Sequence, residues 1–463
     1  MTLYQEEKNI LLQSFLDRHC KPSDGVEFII SSECNQACEY CYLFKHGHEL
    51  YPGDVNKKEN VLRNFKLLLD YLYNNEYAFH SYDLFSGEFF QLSYWEEIFE
   101  IIYEHPSIEL KEFGKGKIIT IPTNFSFLLD AETTNKIETW IAKFKNDKQV
   151  GVFLSCSVDG PSTLEELERP IIGYPSIKQK DFYDKLFKFL QKHRYIPHPM
   201  ITKNFVKNYK ENYDFWIDNI IKYDCTFTRG SKEIYNIPMF LEVRDPDQWD
   251  TPEALENYRN FLFYVAEKDL QTYHNNDLRE FAIHVADDFS EAMKGAGTYT
   301  KVQPYLIGLP DLHHKLPCSI QSGLHCRVGD LAIVPCHRTC YPNMLYGKFT
   351  LNEEKTAIIG VEGDKINLAH KIQTCNPNRS FLTCSDCEIK SFCIKGCIGS
   401  QYENTGELFG VQENVCNLFK VKYKTIHDIC EKYGVYEIIK NDMEIPPERR
   451  RYIEYAREKI SKL

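Results

Sequence analysis

The chain has 463 residues and carries 55 Lys and Arg against 67 Asp and Glu, a formal charge of −12. That balance excludes broad phosphate-neutralising contact with nucleic acid, and 43% hydrophobic with 14% aromatic residues excludes a disordered or fibrous protein. At about 150 residues per domain, a chain of this length holds two or three packed units.

The N-terminal run MTLYQEEKNILLQSFLDRHC mixes acidic and basic residues every few positions and lacks an apolar stretch of secretory or transmembrane length. This places the chain in the cytoplasm, away from membranes. Apolar or β-branched runs at 26–30, 82–85, 117–122, 150–158, 199–202 and 238–243 alternate with longer amphipathic stretches. Between them, Val61, Phe65, Leu68, Leu69 and Leu72 share one face of a 3.6-residue period, as do Trp95, Ile98, Phe99 and Ile102, and Phe182, Leu186 and Leu190. Repeated strand and helix predict an α/β fold whose right-handed crossovers lay the strands in a parallel sheet, curled into a full or partial barrel. Such sheets bind ligands at the strand carboxyl ends. Further on, Thr251 and Pro252 open a helix predicted to run to Tyr273, residues 276–316 show no assignable pattern, and PPERRRYIEYAREKISKL predicts an amphipathic helix.

In a reducing compartment structural disulfides are disfavoured, so the 17 cysteines point to metal or redox chemistry. Between Cys41 and Cys318 only Cys156 and Cys225 occur, whereas ten cysteines crowd Cys318 to Cys416. Directly after the first predicted strand, CNQACEYC places Cys34, Cys38 and Cys41 within eight residues. Three thiolates can hold three corners of a 4Fe-4S cube and leave one iron open, whereas zinc takes four protein ligands, or three and a water. A zinc knuckle completed by His46 or His48 is the alternative.

This spacing, with Tyr40 before the third Cys, resembles the signature of the radical S-adenosylmethionine (SAM) superfamily. The resemblance implies a partial (β/α)6 barrel whose open iron chelates the amino and carboxylate groups of SAM, with reductive cleavage giving a 5′-deoxyadenosyl radical. Ser86, Gly87, Glu88 and Phe89 are similar to the family's Gly-Gly-Glu-Pro element, with Ser and Phe as departures. Glu88 would take the SAM ammonium and Gly87 would permit close backbone approach; an ordinary turn with a solvated Glu is the alternative. Thr123 and Asn124 are similar to the family's Thr-Asn pair, and Asn124 would bond the SAM carboxylate or a neighbouring loop. Ser157, Val158, Asp159, Gly160 and Pro161 resemble the Ser-x-Asp-Gly-Pro run of the peptide-modifying branch. There Ser157 or Asp159 would face the ribose, with Asp159 a candidate catalytic carboxylate, and Arg169 would face the SAM carboxylate.

CSDCEIKSFCIKGC, together with Cys318, Cys326, Cys336 and Cys416, resembles the SPASM extension of radical SAM enzymes that act on peptides. The resemblance implies one auxiliary 4Fe-4S cluster on Cys318, Cys326, Cys336 and Cys397 and another on Cys384, Cys387, Cys393 and Cys416, three clusters in all. Cys340 and Cys375 are close enough in sequence to exchange as ligands, or to donate a hydrogen atom to a product radical. The implied domains are an N-terminal helical extension (1–25), the barrel (26–245), a helical connection (246–316), the small cysteine-rich α+β SPASM domain (317–420) and a helical tail (421–463). The implied activity is oxidative cross-linking, carbon to carbon or carbon to sulfur, of a ribosomally made peptide, with a low-potential flavodoxin or ferredoxin as electron donor. Rivals are formylglycine formation, as in anaerobic sulfatase-maturing enzymes, which carry an Asp where His337 follows Cys336; epimerisation; and a zinc-stabilised binding module without catalysis.

Overall fold

A computed structural model describes residues 4–20, 25–109, 117–172, 180–229, 232–236, 238–274, 319–321, 323–390, 393, 395–434, 436–437 and 447–463. The unassigned stretch 276–316 and Cys318 lie outside them. The described residues form twelve strands: β1 (Gly25–Ser31), β2 (Ser81–Ser86), β3 (Ile118–Thr123), β4 (Gly151–Cys156), β5 (Met200–Ile201), β6 (Thr226–Arg229), β7 (Lys232–Tyr235), β8 (Leu241–Glu242), β9 (Leu324–Arg327), β10 (Ala332–Ile333), β11 (Gly347–Leu351) and β12 (Ile358–Gly363). The first ten helices of interest are α1 (Gln5–His19), α2 (Tyr42–Leu50), α3 (Lys58–Asn74), α4 (Trp95–Glu104), α5 (Ala131–Lys143), α6 (Ser162–Glu168), α7 (Lys180–His193), α8 (Lys203–Lys207), α9 (Tyr209–Lys222) and α10 (Pro252–His274).

The chain divides into two compact units, one of Met1–Val158, Glu165–His198 and Ser319–Thr374, the other of Asp159–Leu164, Pro199–Cys318 and Cys375–Leu463. The first is built on an eight-stranded sheet of order β12-β11-β10-β9-β1-β2-β3-β4. β1 to β4 are parallel and consecutive, as the alternation of strand and helix predicts. β9 adds to the free side of β1, also parallel, and β10 to β12 follow antiparallel.

Period-2 alternation decides which side chains reach the core. In β2, β3 and β4 every second residue is buried: Tyr82 and Leu84, Ile119 and Ile121, Val152 and Leu154. Those rows meet the apolar stripes of the helices. Phe28 sets its ring at 81° to Phe65 of α3, and Phe90, Trp95, Phe99, Phe127, Trp140 and Phe144 form an edge-to-face aromatic cluster. Each ring or branched aliphatic fully buried contributes about 1.5–3 kcal/mol. α5 starts where it does because the Asp130 carboxylate accepts the Thr133 N–H at 2.8 Å.

Beyond β4 the parallel pairing thins. Cys156 makes a lone bridge to Pro197, with His198 N–H donating to the Cys156 carbonyl at 2.8 Å. Pro197 and Pro199 have no N–H to offer a ladder, so pairing cannot extend there. In the second unit the runs at 199–202 and 238–243 make a parallel β5–β8 ladder of two residue pairs. That unit's main core gathers Phe205, Tyr213, Trp249, Tyr258 and Phe261 with Leu418 and Ile429 of the helix Glu413–Lys432. A second core holds Val415, Phe419, Tyr423 and Ile426, with Cys387 and Cys393 packed against it. The predicted helices at 251–273 and in the C-terminal tail are present as α10 and Pro447–Ile460.

Candidate SAM and iron-sulfur sites

The loop from Ser32 to Cys41 leaves the carboxyl end of β1 and is held on two sides. On one, Gly87 N–H donates to the Ser31 carbonyl at 3.0 Å and Glu88 N–H to that of Glu33 at 2.8 Å. On the other, Ala37 and Glu39 donate to the carbonyls of Pro170 and Glu168, and Ile172 donates to that of Asn35. A Cβ on Gly87 would lie 2.6 Å from the Ser32 carbonyl oxygen and closer still to that of Glu33, so only glycine admits this approach. Cys38 is buried, and Cys34 and Cys41 are half-buried. Burial pushes the Cys34 thiol up to about 12, and the charges of Glu88, Cys38 and Cys41 add to the push while the Gln36 N–H, 3.4 Å from its sulfur, opposes it.

Glu88 is 1% exposed and sits where β2 meets the next strand. Its carboxylate accepts from Thr123 Oγ1 at 2.8 Å, from Asn124 N–H at 2.7 Å and from Phe90 N–H at 3.3 Å. Burial nevertheless leaves it above the ordinary carboxylate value, against the pull of those donors and of Arg169. The Asn124 side chain donates to Asn35 Oδ1, and Asn35 in turn donates to Ser126, both at 2.9 Å. Arg169, also buried, reaches Tyr40 OH at 3.3 Å and Gln36 Oε1 at 3.2 Å. Ser157 N–H closes on the Thr123 carbonyl at 2.9 Å. The thiol triad, Tyr40, Gly87, Glu88, Asn124, Ser157 and Arg169 therefore share the carboxyl end of the β1–β4 sheet in the first unit. Asp159 belongs to the second unit, fully buried, where its carboxylate accepts the Met200 N–H at 2.8 Å and its carbonyl accepts the Trp216 indole.

Sequence reading passed over Asn35 and Gln36. Both could have been found, because they are polar residues enclosed by Cys34 and Cys38.

Among the described residues no three His, Cys, Asp or Glu side chains are gathered around one point as a single metal ion requires. The residues present fit a cluster with SAM beside it. Three neighbouring thiols need a cation to become thiolates, and the buried Ser86 Oγ and Gln36 Nε2 have no hydrogen-bond partner.

In the second unit Cys384, Cys387, Cys393 and Cys416 lie close enough for their charges to act on one another. Burial pushes the Cys416 thiol to about 12, and Cys393, Cys384 and Cys387 each add to the push. The turn Cys384–Cys387 is closed by the Cys387 N–H to the Cys384 carbonyl at 3.1 Å, and Cys416 lies in the first turn of Glu413–Lys432. The set assigned to the other auxiliary cluster is divided. Cys326 and Cys336 fall in the first unit, Cys397 in the second, and Cys318 outside the described residues. Cys326, paired with Phe28, points to the helix-covered face, where burial, then Cys20 and Glu27, raise its thiol well above the usual value. Cys336 Sγ lies 3.3 Å from Thr339 Oγ1. Cys340 is buried in the first unit beside Arg327 and Glu27, and Cys375 is buried in the second.

No protein-family model and no curated protein sequence matches the chain. Among solved structures, anSMEcpe with bound AdoMet superposes with a TM-score of 0.56 at 16% identity, covering 89% of this chain and 98% of that one. The same protein with AdoMet and the Cp18Cys peptide superposes at 0.54, again with 16% identity and the same coverage. The chain shares the fold of anSMEcpe. In that fold the residues found at the carboxyl end of β1–β4 occupy the end where parallel α/β sheets bind ligands, and no described helix is long and apolar enough to cross a membrane.

Proposed function

We propose that the chain is a radical SAM enzyme that oxidises a residue of a ribosomally made peptide or protein, installing a carbon–carbon or carbon–sulfur cross-link. The observation that supports it is the meeting of one three-thiol loop with a buried Glu88, Asn124 and Arg169 at the carboxyl end of the sheet. When bound, a 4Fe-4S cluster with an open iron and SAM supplies a 5′-deoxyadenosyl radical able to take hydrogen from an unactivated carbon. Cys34, Cys38 and Cys41 would hold that cluster. Glu88 would take the SAM ammonium, its remaining lone pairs already fixed by Thr123 and Asn124. Asn124 and Arg169 would meet the carboxylate, and Ser157 would face the ribose. Gly87 keeps the backbone after β2 close against the thiol loop. Cys384, Cys387, Cys393 and Cys416 would hold an auxiliary cluster. A peptide partner is supported by the peptide-bound anSMEcpe structure of the same fold; a low-potential flavodoxin or ferredoxin would deliver electrons in the cytoplasm.

A second reading is oxidation of one substrate Cys or Ser to formylglycine. What favours it is the likeness to anSMEcpe with the Cp18Cys peptide bound; against it stands His337, which follows Cys336 where those enzymes carry Asp. Its ring is hydrogen-bonded to Glu27 Oε2 at 2.9 Å and stacked on Phe85 at 4.0 Å.

Anaerobically reconstituted protein given SAM and dithionite is expected to release 5′-deoxyadenosine, and the Cys38→Ala variant to release none. Protein holding only zinc and leaving SAM intact would end the proposal. Mass spectrometry of a peptide encoded beside this gene and co-expressed with it separates the two readings. Loss of two hydrogens with the two residues joined in the fragment spectra marks a cross-link, whereas a Cys whose sulfur is replaced by oxygen, or a Ser that loses two hydrogens and reacts with a hydrazide, marks formylglycine.

A further inference from the structure

The loop that carries the second thiol set also buries a cation. Lys395, between Cys393 and Cys397, is 5% exposed and lies in left-handed backbone at φ 64°, followed by Gly396 at φ 80°. Both ends of the residue are held. Its N–H points at Cys393 Sγ, 3.5 Å away, and its carbonyl accepts the Gln401 side-chain amide. Its ammonium donates to the carbonyl of Lys390, a residue whose own N–H closes on the Cys387 carbonyl at 3.1 Å. The charge is thus fixed inside the stretch of chain spanned by the thiols.

Among the described residues no carboxylate lies within ion-pair distance of Lys395. A buried ammonium satisfied by one carbonyl is costly unless an anion faces it. Four thiolates around an iron-sulfur core are such an anion, and reduction makes them more negative. The cation also acts on the thiols themselves, drawing Cys384 and Cys393 down against the burial that raises them. The Cys34 loop has the opposite neighbour, the buried carboxylate of Glu88. Cluster potentials follow net charge, hydrogen bonds to sulfur and solvent exposure, and Lys395 contributes to the first two.

We propose that Lys395 is a positioning residue that raises the reduction potential of the cluster held by Cys384, Cys387, Cys393 and Cys416, fitting that cluster to accept an electron. This rests on the function proposed above, since it requires the cluster to be there.

The test is potentiometry followed by electron paramagnetic resonance on the full chain, reconstituted with iron and sulfide. A Cys34→Ala, Cys38→Ala, Cys41→Ala background leaves only auxiliary clusters, and the signal in question is the one lost on adding Cys387→Ala. Lys395→Gln keeps a donor for the Lys390 carbonyl but removes the charge, whereas Lys395→Arg keeps the charge. The Gln variant is expected to show about a tenfold lower ratio of reduced to oxidised cluster at fixed poise, equivalent to about 59 mV for one electron. The Arg variant is expected to return most of it. Equal midpoints in the Gln and Arg variants, at equal iron content, overturn the inference alone. Absence of any signal that depends on Cys387 overturns the cluster itself, and the inference with it.

Discussion

At the scale of single residues, the site depends on atoms that are missing as much as on those present. Gly87 lets β2 approach the thiol loop. Gly87→Ala is expected to cost about 1–3 kcal/mol through overpacking against backbone that cannot yield, measured by urea unfolding, and to abolish SAM binding in equilibrium dialysis. A variant that unfolds like the parent and binds SAM would show that the loop has another way to sit. Asp83 makes a different kind of statement. It lies on the sheet face opposite the helices, half-buried, with Glu27 its register partner across β1 and β2. Burial, then repulsion from Glu27, holds its carboxyl up to about 6, against hydrogen bonds from Thr120 and Ser81. His337 and His325 face Glu27 from the other side; burial works to raise Glu27, and the charge and hydrogen bonds of His337, with His325, outweigh it and leave it low. For Asp83 the sign follows from a folded value above the unfolded one. The folded state binds the extra proton, so stability is fully present below the ordinary carboxylate value and declines as pH rises toward about 6. Asp83→Asn is expected to remove that decline, leaving the variant more stable at neutral pH by an amount on the order of 2 kcal/mol. Denaturation curves between acidic and neutral pH that fall in parallel for both proteins would contradict it.

At the scale of elements, the second unit is tied by a buried ion pair across three of them. Lys422, on Glu413–Lys432, reaches Glu242 of β8 at 2.7 Å, and Tyr258 of α10 donates to the same carboxylate at 2.6 Å. Burial alone would raise Glu242, but Lys422 and Tyr258 bring it down to about 2. Its contribution is therefore fully present above the ordinary carboxylate value and is lost as pH falls toward about 2. Lys422→Met is expected to cost about 3–5 kcal/mol, because it leaves a buried charge unpaired, and to flatten that acid limb. Thermal unfolding of the pair at neutral and acidic pH reads both effects, and an unchanged midpoint in the variant would refute them. The helices themselves were legible, α3, α4 and α7 from apolar spacings that need no partner to be recognised and α10 from the Thr251 and Pro252 that open it. β5 and β8 were legible as apolar runs but not in their length, because prolines beside them withdraw the donors that a ladder uses.

For the whole molecule, the cysteine-rich stretch of the second unit has little apolar core of its own. Cys387 and Cys393 pack on the edge of the Val415, Phe419 and Tyr423 cluster, while Cys384 and Cys416 are half-buried. Metal binding would then supply folding free energy there. Iron removal by anaerobic chelation is expected to speed amide exchange in Cys384, Cys387 and Cys393 by about tenfold or more, with β1–β4 protected as before. Uniform loss of protection across both units would mean that the clusters hold the entire fold.

By itself the sequence determined the strand and helix periods, the three-thiol loop and the second cysteine set, because each is written in residues close together along the chain. Burial of alternate or every third or fourth residue leaves a mark that needs no knowledge of the partner. Tertiary structure alone decided that Glu88 meets Thr123 and Asn124, that Arg169 meets Gln36, that β9 lies against β1 and that Lys395 is buried. Pairings of that kind depend on how much distant apolar surface each arrangement removes from water and on which buried polar groups find partners, and neither quantity is local.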